Sequence, residues 1–463
     1  MSNNQRPIIP IPSNKEVENL WTNFTSDIPS TSKSRTFFIP HAGLKYSGHC
    51  SLEALSLCIP KPNKIWIFGT NHRPSENLND TMFKNIDKLL QNPIKNNNIE
   101  SILLENSTDA LREHSIMMNS ALLKYRFPKA KIYPWLIPPD KWLDNTIIQI
   151  LTKYIVKFLK ENPNHIVIFS SDMSHEDQVE HGSQSVIDKE ADIISDILNG
   201  ILLPSQRNNY LTMCGPENLA LFISVSNSMG EYPVIRCYDD SLGKRQFWTT
   251  KSAERVVSYL SMVSFKSKKN VIIDNQLWII TFLKSFILSS IYSSLSPPTL
   301  ANPEFPKQFS TGLSNGLFIT IMDRSTRATR ACIGEFFKKG ISMDQHILDI
   351  IPRLITDAKN RWDNPIRQSD IGGLLCEFTI LDNTSRKISS TLQKPNISFS
   401  SKMNGSDNMY MIESNSKHGT FIPDVWKSHP DWTAKYYILQ LLEKTGASVN
   451  LPYVLYSRKT III

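Results

Sequence analysis

Three imidazoles, His41, His72 and His175, each follow an apolar run by a few residues, and a thiol, Cys214, sits immediately before a Gly-Pro pair. Imidazole binds borderline metals readily and titrates near neutral pH. A thiolate is anionic like a carboxylate, but softer. Two His and one anionic ligand on one face of a metal leave positions open, which is the logic of non-haem Fe(II) oxygenase sites. Three His with one Cys could equally hold copper or zinc. Each residue alone also has a plain reading: a single His at a strand end is a packed polar residue, and a single Cys is a small buried hydrophobe. The threefold repetition is what favours a metal.

The elements that must position these groups are short strands. TFFIPHAGLKYSG (36–48) runs from apolar residues into Pro40, His41, Gly43 and Gly48. KIWIFGTNHR (64–73) runs from Ile65–Phe68 to Gly69 and His72. HIVIFSSDMSHE (165–176) runs from Ile166–Phe169 through two serines and Asp172 to His175. Apolar runs stopped by Pro and Gly read as buried strands opening onto loops. If the three strands are parallel neighbours, their imidazoles meet on one rim of an open α/β sheet, where ligands collect.

The surrounding chain fits that frame. Helical patterns are expected at 16–24, from Ser51, over 111–127, 145–159 and 186–198, and over 217–229, where Gly-Pro-Glu is a good helix start. A strand is expected at 130–137, and two more at 232–238 and 256–263 close the sheet. Residues 74–100 read as a polar insertion with a helix near 82–90. The alternation predicts one α/β domain, 1–265, with a doubly wound, mainly parallel sheet. A basic linker, SFKSKK (264–269), ends it. Residues 266–463 change grammar and read as a separate α+β domain. It has a long apolar helix, a Pro-rich segment (295–306), strands at 316–322 and 374–381, a Ser/Asn-rich loop (384–408), a hairpin (409–412 with 419–421), a helix (436–446) and a late strand (453–456).

Composition excludes several classes. The 463 residues carry a formal charge of +8, mild for the length and mostly dispersed, and 40% are apolar. No zinc-finger spacing or aromatic–basic platform points to nucleic acid. The six cysteines show no CxxC spacing and the N-terminus is polar and Pro-broken rather than a secretory signal, which fits a reducing cytoplasm. LWIITFLKSFILSSIYSSL (277–295) has about the length a bilayer requires. Lys284 near its centre and the serines after it favour a buried amphipathic helix over a membrane span.

PHAGLKYSG, GTNHR, REHS, SSDMSHE and MCGP, in this order over roughly 30–265, resemble the Memo family of metal-binding proteins, a relative in fold of the class III extradiol dioxygenases. The resemblance implies metal-site residues at His41, His72, His175 and Cys214, with His114 as a pocket histidine. His41, His72 and Cys214 would be direct ligands. His175 would be a further ligand or, with His114, a proton carrier beside the open position. Asp172 could orient His175 or cap a helix, Glu113 could orient His114, and Tyr46 could donate to a bound oxygen species or pack. Family members often carry a second His where this chain has Arg73, and Glu and His where it has Met117 and Asn119. TRATRACIGEF (326–336), with GLFITIM and DAKNRWDNP, resembles the AMMECR family domain over roughly 270–463. There, Arg330, Cys332 and Gly334 could line a cleft or form a bare turn.

The expectation is a cytoplasmic two-domain protein that binds iron(II) or copper, with zinc as a further candidate. It would support dioxygenase-like redox chemistry on a small-molecule or peptide substrate. The rival is a regulatory or scaffold protein that keeps the pocket for metal handling or peptide binding, with a protein partner on the C-terminal domain. A third reading is a modification enzyme whose domains act jointly with a separate radical partner.

Overall fold

The computed structural model describes residues 10–26, 32–72, 111–137, 145–199, 213–242, 251–266, 268–295, 316–336, 343–361, 365–387, 408–414, 417–421, 423–446 and 453–462. The chain divides into two compact units: Met1–Phe282 with Leu300–Phe309, and Leu283–Thr299 with Ser310–Ile463.

In the first unit the elements run α1 (Asn14–Thr22), β1 (Thr36–Ile39), α2 (Leu44–Leu55), β2 (Lys64–Thr70), α3 (His114–Arg126), β3 (Lys131–Ile137), α4 (Asn145–Glu161), β4 (His165–Ser170), β5 (His175–Val179), α5 (Gly182–Asn199), α6 (Pro216–Met229), β6 (Tyr232–Asp240) and β7 (Ala253–Phe265). They form a sheet of order β3-β2-β4-β1-β7-β5, with β6 also on β7. Strands β3, β2, β4 and β1 are parallel, whereas β7 runs antiparallel to β1, β5 and β6.

Strands β2, β4 and β1 sit in the middle of the sheet, as their apolar sequences require. Every residue of β1 and β4 is buried, as is every residue of β2 after the first. Strands covered on both faces read as continuous apolar runs. Phe38 and Phe169 both meet Phe222 of α6, and Trp66 stacks on Phe158 of α4 at 3.8 Å between centroids. Gly69 faces the other way, where a Cβ would stand 2.5 Å from Ser115 Oγ of α3. Successive side chains alternate in direction, so helices α4 and α6 cover one face and α3 the other, with α1 packed across α2 and α3.

Local boundaries differ from the sequence reading in three places. Helix α2 begins at Leu44, so His41 lies on a loop that feeds directly into it. His175 opens a polar edge strand and not a helix. The expected linker near 265 is short, because β7 continues to Phe265 and α7 (Lys268–Leu295) begins three residues later. The helix expected near 82–90, the Asn-rich stretch around it and the Pro-rich 295–306 segment lie outside the described residues, apart from Leu295.

The second unit contains β8 (Gly316–Asp323), β9 (Thr329–Phe336), α8 (Met343–Asn360), β10 (Leu374–Lys387), β11 (Asn408–Ser414), β12 (Lys417–Phe421), α9 (Pro423–Ser428), α10 (Ala434–Thr445) and β13 (Val454–Ile462). Its sheet, β12-β11-β13-β10-β8-β9, is antiparallel throughout. Helix α10 stops at Gly446, whose φ of 60° is a left-handed cap open to glycine at little cost. RACIGEF is a strand here and not a turn. Arg330 is committed to structure: it donates to Asp370 Oδ2 at 2.6 Å and to the Pro365 carbonyl at 3.0 Å. Gly334 lies under the Phe318 ring, where a Cβ would stand 1.8 Å from Cδ1. Strand β10 runs on to Lys387, into the stretch expected to be loop. No helix among the described residues is long and apolar enough to cross a membrane.

Candidate metal centre

Strands β2, β4 and β1 are parallel neighbours, so their carboxyl ends lie side by side. The segments leaving them carry His72, Asp172 and His41. Cys214 arrives from a different direction, on the segment before α6, which is pinned by a bridge between Ser174 and Met213. Gly215 lets that segment come close: a Cβ there would stand 2.1 Å from Thr70 Oγ1. Pro216 then starts α6 at its first turn, where a missing N–H is harmless.

His41 is almost fully buried, and its ring is oriented by a chain of hydrogen bonds. Ser170 Oγ donates to the Ser115 carbonyl at 2.5 Å and accepts from Asn119 Nδ2 at 2.9 Å. Its remaining capacity is as an acceptor, so the 3.1 Å contact to His41 Nδ1 is a donation from the ring. His41 Nε2 therefore carries the lone pair, and it faces Cys214 Sγ at 3.3 Å. Burial, then the nearby His114, His72 and His175 rings, hold the His41 pKa well below its ordinary value, which keeps the ring neutral.

Glu113, at the N-terminus of α3, holds two imidazoles on one carboxylate oxygen. Its Oε1 lies 3.0 Å from His72 Nδ1 and 2.8 Å from His114 Nδ1. Burial raises its pKa, but the hydrogen bonds from His114 and His72 overcome this and bring it down to about 2. An ionised carboxylate only accepts, so each ring presents an N–H to it at Nδ1, and in the neutral form the lone pair is on Nε2. The rings of His41, His72 and His114 lie with centroids 4.1–5.2 Å apart.

Asp172 accepts from the His41 amide at 2.8 Å and the Ala42 amide at 3.2 Å, so it positions the His41 loop and caps no helix. Burial pushes its pKa up to about 6, against the pull of those amides. Its second oxygen is 3.8 Å from His41 Nε2 and 3.9 Å from His175 Nε2. Cys214 accepts from the Asp172 amide at 3.3 Å, and burial raises its thiol pKa.

Three groupings bring potential ligand atoms within 4.8 Å of one another: His41 with His72 and Cys214; His72 with Glu113 and His114; and Asp172 with His175 and Cys214. Cys214 thus joins both His41 and His72 on one side and His175 on the other. The first grouping suits a transition metal. With Zn–N near 2.0–2.1 Å and Zn–S near 2.3 Å, tetrahedral ligation places N and S about 3.5 Å apart. The observed His41 Nε2 to Cys214 Sγ separation is 3.3 Å. The bare Nε2 atoms with Nδ1 anchored on Ser170 and Glu113 match the outer hydrogen bonding that metal-bound His normally shows.

Two contributors escape sequence reasoning. Glu113 is read as a partner of His114 alone, although it also holds His72. Asp172 enters as an orienter of His175, although its main partners are two amides 130 and 131 positions upstream. Only their places beside the EHS and SSDMSH elements signal them. Tyr46 is 46% exposed, with the Lys45 ammonium over its ring.

Among solved structures, the crystal structure of the uncharacterized protein PH0010 from Pyrococcus horikoshii is similar at 19% identity. The match covers 39% of this chain and 88% of that one, with a TM-score of 0.30, and carries no argument about fold or activity. No curated protein matches the chain. The family described as "Memo-like protein" matches residues 12–263, the stretch that holds every residue of the centre. By that match, which spans more than half of its length, the chain belongs to the Memo-like family.

Proposed function

We propose that the first unit binds one transition metal ion, iron or copper, through His41 Nε2, His72 Nε2 and Cys214 Sγ, and that it supports redox chemistry of a dioxygenase-like, non-haem kind. The observation that carries this reading is the convergence of one ligand atom from each of His41, His72 and Cys214 within 4.8 Å, from segments up to 173 positions apart. Two imidazole nitrogens and one sulfur make a mixed donor set suited to iron(II), copper or zinc. The ion would supply a template that orients an oxidant and an organic substrate at open positions.

The chain's own residues do the rest. Ser170 and Glu113 hold the His41 and His72 rings with their lone pairs directed inward. Asp172 fixes the His41 loop. His114 and His175 are 22% and 28% exposed beside these groups, where each could hold a proton near a bound substrate. The second unit is proposed as an AMMECR-like module, with a protein partner as its ligand.

The test is metal analysis of protein purified without oxygen. Near-stoichiometric iron or copper is expected, lost in His41→Ala and Cys214→Ala, with metal-dependent oxygen consumption in the presence of a phenol or reductant. Metal retained without turnover would favour metal handling over catalysis. Absence of metal uptake would overturn the reading.

A further inference from the structure

His175 stands apart from the other imidazoles of the centre in the partner its ring faces. It pairs with Val257 in the β5–β7 ladder, two positions from the Asp177–Arg255 pair. Residues two apart share a face of the sheet, and a long side chain spans the diagonal. Arg255 does so: its guanidinium lies 3.2 Å from His175 Nδ1, and its Nε lies 3.7 Å from Asp177 Oδ1. Arg has five N–H donors, no acceptor, and does not lose its proton. His175 Nδ1 must therefore accept, and the neutral ring carries its proton on Nε2. That Nε2 lies 3.9 Å from Asp172 Oδ2, and His175 shares with Asp172 and Cys214 a grouping of potential ligand atoms within 4.8 Å of one another.

The imidazoles are thereby sorted. Ser170 and Glu113 draw the protons of His41, His72 and His114 onto Nδ1 and leave three lone pairs at Nε2. Arg255 does the reverse at His175. We infer that His175 is a hydrogen-bond donor and not a metal ligand. Its Nε2–H would face an anionic or carbonyl oxygen of a molecule bound beside the ion, and Arg255 would be the positioning residue that sets the ring's tautomer. This inference rests on the metal reading for its ligand, but the tautomer itself does not depend on metal.

Full-length protein labelled with 15N at histidine, metal-free and loaded with diamagnetic zinc, reads the tautomers through long-range 1H–15N correlations; His175→Gln assigns the signal. The expected result is an Nε2–H pattern for His175 in both forms. Arg255→Met should move it towards Nδ1–H, and Arg255→Lys, which keeps a donor, should restore part of the wild-type pattern. Arg255 is 61% exposed, so both variants keep the fold. An Nδ1–H pattern in the wild type, a zinc-shifted His175 Nε2, or an unchanged spectrum in Arg255→Met would each overturn the inference. A zinc-shifted Nε2 leaves the metal reading standing, whereas failure of zinc to bind at all sinks that reading and leaves the tautomer measurement intact.

Discussion

Glu190 of α5 is a fully buried carboxylate, and its removal should loosen the segment that carries Asp172 and His175. Its Oε1 accepts from the Ser174 amide at 2.9 Å and from Ser258 Oγ at 2.5 Å, and its Oε2 accepts from Tyr238 OH at 2.5 Å. In Glu190→Ala these donors lose their acceptor inside the protein, at about 1–3 kcal/mol each. Ser174 N keeps a second acceptor in Ser258 Oγ at 3.0 Å, which trims the total to about 3–5 kcal/mol. For a unit of this size that lowers the melting temperature by about 10 °C. Glu190→Gln keeps an acceptor of the same shape and should cost much less. Burial raises the Glu190 pKa, against the hydrogen bonds from Ser174, Ser258 and Tyr238. The native state therefore holds the proton to higher pH than the unfolded chain, and wild-type stability falls as pH rises from about 4.5 towards the raised value. Gln lacks that dependence, so the melting temperature of Glu190→Gln minus that of the wild type should grow as pH rises through this window. Scanning calorimetry on the full chain reads both effects. An Ala variant within about 2 °C of wild type, or a Gln-minus-wild-type difference flat in pH, would refute the reasoning.

Glu113→Ala should weaken zinc or iron(II) binding by about 10–100-fold, measured by competition with a chromophoric chelator, because His72 and His114 lose the oxygen that orients them. Glu113 also links stability to acid. With its pKa held at about 2, its contribution is present above about 4.5 and disappears as pH falls towards 2, a trend that Glu113→Gln should flatten in acid titrations followed by circular dichroism. In the second unit, Gly334→Ala places a Cβ 1.8 Å from the Phe318 ring and should destabilise by about 1–3 kcal/mol in urea unfolding.

Strands β1, β2 and β4 were legible because each is a short apolar run buried on both faces, and because Pro40, Gly69 and the 170–171 serines mark their ends. The candidate ligands His41 and His72 follow strand ends that lie side by side, whereas Cys214 reaches them from the segment before α6. What the sequence hides is pairing at a distance. Nothing near Glu190 announces Tyr238 or Ser258, and nothing near Arg255 announces His175, since these contacts exist only once β7 lies beside β5 and β6. Strand β5, HEDQV, is polar because it lies at the sheet edge, so no hydrophobic alternation marks it. Helix α8 was missed because Pro352 interrupts its pattern, although the apolar side chains of Ile347, Ile350, Ile351 and Leu354 are all buried. Arg330 looked like an anion-binding residue until Asp370, forty positions away, took its guanidinium.

The position of β1 has a consequence for synthesis. Among the described strands it comes first along the sequence, yet its two neighbours are β4 and β7, with Phe37 paired to Ile168 on one side and Val263 on the other. At about 5–20 residues per second, some ten seconds or more separate emergence of TFFI from the ribosome and arrival of its second partner. During that interval a hydrophobic ribbon with unmet backbone groups is open to adventitious pairing. Chaperone engagement of the nascent chain should therefore be strongest before residue 265 clears the exit tunnel.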